Sequence, residues 1–170
     1  MILHISSLTE SDARAALSWW SKDNDASSSS DNFNWVYGYQ SREIDNHSEW
    51  NKSVEQCWGI ADERIRRKEY YSLRNDRDKL LGFFRLQEEG TSLLLCIGLT
   101  PEYCGAGLER AMMPLVLQEA KRKAPGKRLE VEVYATNRRA RECYARCGFS
   151  VVQDDDQCPS GGAIRMVYHE

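Results

Sequence analysis

The chain has 170 residues, the size of one ordinary domain and long enough to bury a hydrophobic core. Its 23 Lys and Arg against 26 Asp and Glu give a formal charge of −3, which disfavours nucleic acid or an anionic membrane as partner, because phosphate binding calls for a basic face. No basic stretch followed by an apolar core opens the chain. The longest apolar run, residues 93–99, is far short of the about 20 that a membrane helix needs. The expectation is a cytoplasmic protein with neither nucleic acid nor membrane as partner.

Residues 4–8 read as a strand running into Thr9, Ser11 and Asp12, which are helix-capping types. Ala13, Ala16, Leu17 and Trp20 then follow at helical spacing. The polar stretch 21–34, with four consecutive serines, reads as a loop. An aromatic-rich region follows, with Phe33, Trp35, Tyr37, Tyr39 and Trp50. Trp50, Val54, Cys57, Ala61 and Ile65 predict a helix over residues 48–68, weakened by Gly59 but not broken. Residues 69–75 and 80–88 are predicted strands joined by a polar turn, and 92–99 is an apolar strand suited to the centre of a sheet.

The second half alternates element types. A helix over 107–123 places Leu108, Ala111, Met112, Leu115 and Val116 on one face, with Pro114 bending it and Pro125-Gly126 stopping it. The basic cluster Lys121, Arg122, Lys123, Lys127 and Arg128 falls at that helix's end, where cations complement its dipole. A strand over 129–134, a helix over 137–147 and strands over 149–153 and 164–168 complete one α/β domain with a mixed sheet. The six cysteines show no C-x-x-C spacing, although Cys143 and Cys147 share a helix face, so they read as free thiols rather than a metal site.

Two segments carry chemistry. At residues 99–108 a buried strand ends, a loop with Gly105 and Gly107 follows, and a helix begins. Glycines let backbone approach a ligand, and the unpaired first-turn N–H groups of a helix bind phosphate. In the next helix Asn137 and Tyr144 are seven residues apart, on one face and about 10 Å from each other. Gly148 ends that helix as a cap. A ligand with a diphosphate at one helix and a long amide-bearing arm reaching the next fits this arrangement.

Together these segments resemble the GNAT superfamily of acyl-coenzyme A-dependent N-acyltransferases. The family pattern Q/R-x-x-G-x-G/A falls on Cys104, Gly105, Ala106, Gly107, Leu108 and Glu109. Asn137, Ala140, Tyr144, Gly148 and Phe149 match the later family pattern. The resemblance implies a mixed, mostly antiparallel sheet of about seven strands flanked by about four helices. It also implies a single acetyltransferase domain over 1–170, with the coenzyme site in 93–149 and the acceptor side in 1–75.

By the same resemblance, backbone groups of Ile97 and Leu99 pair with the pantetheine arm, and the backbone of residues 105–109 holds the diphosphate. Asn137 binds the pantetheine amides, and Tyr144 protonates the departing thiolate. The implied reaction moves an acetyl group from acetyl-CoA, as co-substrate, to a primary amine of a small molecule or peptide by direct attack, without a metal.

Two residues depart from the pattern. Cys104 stands for Gln or Arg, and Glu109 for a small residue beside the diphosphate, where a carboxylate repels phosphate unless it points away. The alternative is therefore a catalytically degenerate acyl-CoA-binding or protein-interaction module of the same fold. No acid lies on strand 92–99; Glu69, Glu43, Glu49 and His47 are base candidates, each read as a surface group. Exposed edge strands permit a homodimer.

Overall fold

Residues 1–21, 59–103, 106–134, 138–152 and 163–170 are described by a computed structural model. Seven strands form one sheet: β1 (Leu3–Ser7), β2 (Tyr70–Asn75), β3 (Leu80–Glu89), β4 (Ser92–Leu99), β5 (Arg128–Tyr134), β6 (Phe149–Val151) and β7 (Ala163–Tyr168). Their spatial order is β1-β2-β3-β4-β5-β7-β6, and β4 with β5 is the one parallel pair. The described residues form four α-helices: α1 (Glu10–Ser21), α2 (Glu63–Glu69), α3 (Leu108–Lys123) and α4 (Arg138–Arg146). The expected sheet and helix count are both present.

The sheet is covered on both faces. On one, Phe84, Leu95 and Ile97 pack with Met112 and Val116 of α3; on the other, Tyr70 and Phe83 pack with Leu8, Ala13 and Ala16. Double coverage explains why β4 is apolar at nearly every position instead of alternating. The buried stripe of α3 includes Met113 and leaves Ala111 exposed, so it is rotated from the predicted face. The helix runs without interruption through the exposed Pro114.

Side-chain caps set where the first helices begin. Thr9 and Asp12 form a reciprocal box, each backbone N–H donating to the other's side chain at 3.1 Å. The second Asp12 oxygen pairs with Arg74, tying α1 to β2. The helix predicted over 48–68 is not continuous. Gly59 adopts φ +63°, and Asp62 caps a new helix by accepting from the backbone N–H groups of Arg64 and Ile65. A side chain at Gly59 would also collide with Ile65, 2.7 Å from where its Cβ would lie. The part of that prediction over 48–58, the loop over 22–34 and the aromatic segment 33–50 lie outside the described residues.

The basic cluster at the end of α3 is largely paired. Lys121 meets Glu170, Arg122 meets Glu119, Lys127 meets Glu88, and Arg128 meets Glu130. Glu130 is 3% exposed on β5 and accepts from Ser92 Oγ at 2.6 Å and from Arg165 at 3.1 Å. Arg165 also reaches Glu132 and Glu89. This network crosslinks β3, β4, β5 and β7 near the end where β4 and β5 are still paired. Replacing Arg165 with Met should lower unfolding free energy by about 2 kcal/mol, less than a fully buried pair loses because Ser92 and Arg128 remain. Urea denaturation checks this, and an unchanged midpoint would remove the network from the stability argument.

Candidate active site

The ladder between β4 and β5 runs only from Ser92↔Arg128 to Leu95↔Val131. Beyond it β4 continues to Leu99 along β3 while β5 continues to Tyr134 along β7. The two strands therefore part at the C-terminal end of β4. Thr91 accepts from Arg128 N–H on the β5 side, whereas Thr100 N–H donates to Leu81 on the β3 side. Strand alternation then turns the backbone N–H and C=O of Ile97 and Leu99 towards the opening. Their side chains are buried on the α3 face.

Past Thr100 the chain makes a 3-10 turn, Pro101–Tyr103, with Tyr103 N–H on the Thr100 carbonyl and Ala106 N–H on that of Tyr103. Lys79, from the β2–β3 turn, ion-pairs with Glu102 at 2.9 Å and lies over the Tyr103 ring, fastening the turn from outside. Gly107 is the N-cap of α3 at φ 82°, a left-handed conformation that favours glycine, and no side chain caps this end. Arg110 N–H bonds the Gly107 carbonyl at 3.2 Å, and no capping side chain from Gly107 takes up the first-turn N–H groups, the arrangement that binds an anion. Cys104 and Gly105 lie outside the described residues.

Helix α4 directs Ala140, Cys143 and Tyr144 inward. The Tyr144 ring meets Phe149 edge-on at 5.5 Å, and Phe149 meets Tyr168 in the same way. Gly148, at φ 100°, admits the Tyr168 ring, which would lie 2.9 Å from a Cβ there. This aromatic chain fixes the orientation of Tyr144. Burial, reinforced by Cys96, Cys143, Cys147 and Glu109 nearby, pushes the Tyr144 phenol well above its usual range, so it stays protonated and remains a donor. Asn137, seven residues earlier, lies outside the described residues.

Glu109 sits on the first turn of α3, but its carboxylate reaches α4. It lies close to Cys143, Tyr144 and Cys147. Its Oε2 is buried with no hydrogen-bond partner. The side chain that seemed from sequence to oppose a diphosphate is instead part of the α3–α4 contact.

Among the base candidates, Glu69 is not the surface group expected. It pairs with Arg85 at 2.6 Å, with side chains only 15% and 12% exposed respectively. Arg85 lies directly across the β3–β4 ladder from Cys96 and over the Tyr70 ring at 5.3 Å. Sequence reading missed this pair because Glu69 and Arg85 are joined by the β2–β3 register and by no motif. Burial pushes the Cys96 thiol far up, which suits packing rather than nucleophilic attack. Glu43, His47 and Glu49 lie outside the described residues. Among those described, no group of three or more His, Cys, Asp or Glu is arranged to hold a metal.

No curated protein matches the chain. Solved structures share its fold at low identity. The PaiA N-acetyltransferase of Thermoplasma acidophilum, in complex with coenzyme A, is 17% identical over the whole of both chains, with a TM-score of 0.70. The spermidine N-acetyltransferase of Vibrio cholerae, in complex with coenzyme A and spermine, is 17% identical over 97% of this chain and 94% of its own, with a TM-score of 0.65. The ribosomal-protein-S18-alanine N-acetyltransferase of Escherichia coli is 20% identical over 98% and 93%, with a TM-score of 0.57. The model of the acetyltransferase (GNAT) family matches residues 30–149, most of the chain, and the protein belongs to that family of acyl-coenzyme A-dependent N-acetyltransferases.

Proposed function

We propose that the protein moves an acetyl group from acetyl-CoA to a primary amine of a small molecule or peptide by direct attack, within a single domain spanning 1–170. The observation that carries this reading is the parting of β4 from β5, with an uncapped helix N-terminus at its mouth and a buried, protonated tyrosine beside it. An extended pantetheine arm lies in the opening and pairs with backbone groups of Ile97 and Leu99. Backbone N–H groups from Gly105 to Glu109 take the diphosphate, where the α3 dipole favours negative charge. Asn137 takes the pantetheine amides.

The amine attacks the thioester carbonyl, the carbon–sulfur bond breaks, and Tyr144 gives its proton to the departing thiolate. The acceptor approaches from residues 1–75. The solved neighbours bear names that include spermidine and a ribosomal-protein alanine, so amines of both small and peptide kinds are compatible with this fold. The free thiols Cys96, Cys143 and Cys147 suit the reducing cytoplasm, and β1 and β6, the end strands of the sheet among the described residues, are the edges through which a homodimer would form.

Coenzyme release measured over a panel of amines, alongside calorimetric binding of acetyl-CoA, tests the function. Turnover with at least one amine is expected; binding with no turnover across a broad panel would favour a non-catalytic module, and no binding would overturn both. Tyr144→Phe should lower kcat about a hundredfold, the scale of general-acid assistance, and leave the acetyl-CoA Kd nearly unchanged. Unaltered kcat would remove Tyr144 as the acid. Glu109→Gln should hold or tighten coenzyme binding by calorimetry, because the carboxylate already engages α4; a clear weakening would give it a direct part in holding the coenzyme.

A further inference from the structure

We propose that Cys143 and Cys147 form a reversible dithiol–disulfide site, in which Cys147 attacks a hydroperoxide and Cys143 resolves the product. The two lie one turn apart on the inner side of α4, with the Cys143 thiol buried and Cys147 partly exposed at the helix end. The two thiols lie close enough for each to shift the other's ionisation. Arg110, on the first turn of α3, adds positive charge near Cys147. A nearby cation, with solvent access, is what makes one cysteine of a pair the nucleophile.

The ionisation behaviour of the pair agrees with this division. The neighbouring Cys143 pulls the Cys147 thiol below its usual range, against opposing contributions from burial and Glu109. Cys143 is pushed up by Cys147, by burial and by Glu109, so it keeps its proton. Cys96, on β4 across the ladder from Arg85, has its thiol pushed up by burial instead.

The step balances without a metal. The Cys147 thiolate attacks the outer peroxide oxygen; the O–O bond breaks, and the leaving hydroxide takes a proton to become water. Cys143 sulfur then attacks the resulting sulfenic acid; an S–S bond forms, and the sulfenic hydroxyl leaves as water with the Cys143 proton. Two thiols are oxidised and one peroxide is reduced to two waters.

Geometry permits closure at the helix end better than within it. Residues four apart on a helix have Cβ atoms about 5–6 Å apart, whereas a disulfide needs about 3.5–4.5 Å. Cys147 lies one residue past the last residue of α4, where its N–H is shared between the Cys143 and Tyr144 carbonyls at 3.2 and 3.0 Å. Gly148 follows in a left-handed conformation. Tightening that last turn draws on Tyr144, which lies between the two cysteines. The expected consequence for turnover rests on the acid role proposed for Tyr144; the chemistry of the thiols does not.

Hydrogen peroxide titration of the reduced full-length protein, followed by alkylation and tryptic mapping, tests the site. Trypsin cuts after Arg141, Arg146 and Arg165, so closure links peptides 142–146 and 147–165, and fragment ions separate Cys147 from Cys158. The expected product is a Cys143–Cys147 link that dithiothreitol reverses. Cys143→Ser should accumulate a dimedone-trapped sulfenic acid on Cys147, and Arg110→Gln should slow oxidation of Cys147 several-fold. Oxidation of Cys147 no faster than of Cys96, or stable sulfenic acid on Cys147 with Cys143 present and reduced, would overturn the proposal. Acetyl transfer should fall as the link forms and recover on reduction. A fully linked protein with unchanged turnover would overturn the coupling to Tyr144, and a protein inactive before oxidation would count against the proposed function alone.

Discussion

Backbone groups inside a sheet must find partners, and along half of the central strand β5 is not the element that supplies them. β4 is bonded to β3 along its full length, yet β5 accompanies it only as far as Leu95. Buried peptide groups left without partners are costly, so the end of β4 is where groups other than β5 must meet its backbone. Each other part of the site is placed relative to that break. The 3-10 turn carries the chain from the end of β4 to α3, and α4 follows β5 on the far side.

The opening also determines which charges can lie near it. An uncapped helix N-terminus favours an anion by roughly 0.3–1 kcal/mol, more when partly buried, and a carboxylate on that same turn would compete for the position. Glu109 avoids this by crossing to α4, where it lies beside Cys143, Tyr144 and Cys147. Its unpaired Oε2 is the cost of that route.

Legibility in the sequence divides along a physical line. Elements whose role is carried by backbone were readable: the apolar run of β4, the glycine before α3 and the strand–loop–helix order depend on patterns local in sequence. Groups that act through long-range side-chain pairing were not. Glu69 meets Arg85 only because the β2–β3 register brings them together, and the Arg165 network joins strands up to 76 residues apart. Gly59 was read as a tolerated helix residue because a propensity difference of about 1 kcal/mol is small. Its positive φ and the Ile65 side chain packed against it are tertiary facts that no local scale contains.

Tyr144 shows how one set of contacts serves both fold and chemistry. A general acid must hold its proton until charge develops on the leaving group, so whatever disfavours the phenolate prepares the donor. Burial does this, and the neighbours on three elements act in the same direction: Cys96 on β4, Cys143 and Cys147 on α4, and Glu109 on α3. The same burial rests on the edge-to-face stack with Phe149 and Tyr168, which depends in turn on Gly148 leaving space for the Tyr168 ring. A substitution at Gly148 would therefore reach Tyr144 through two rings, so the acid role proposed for Tyr144 would be sensitive to packing at the C-terminal end of α4.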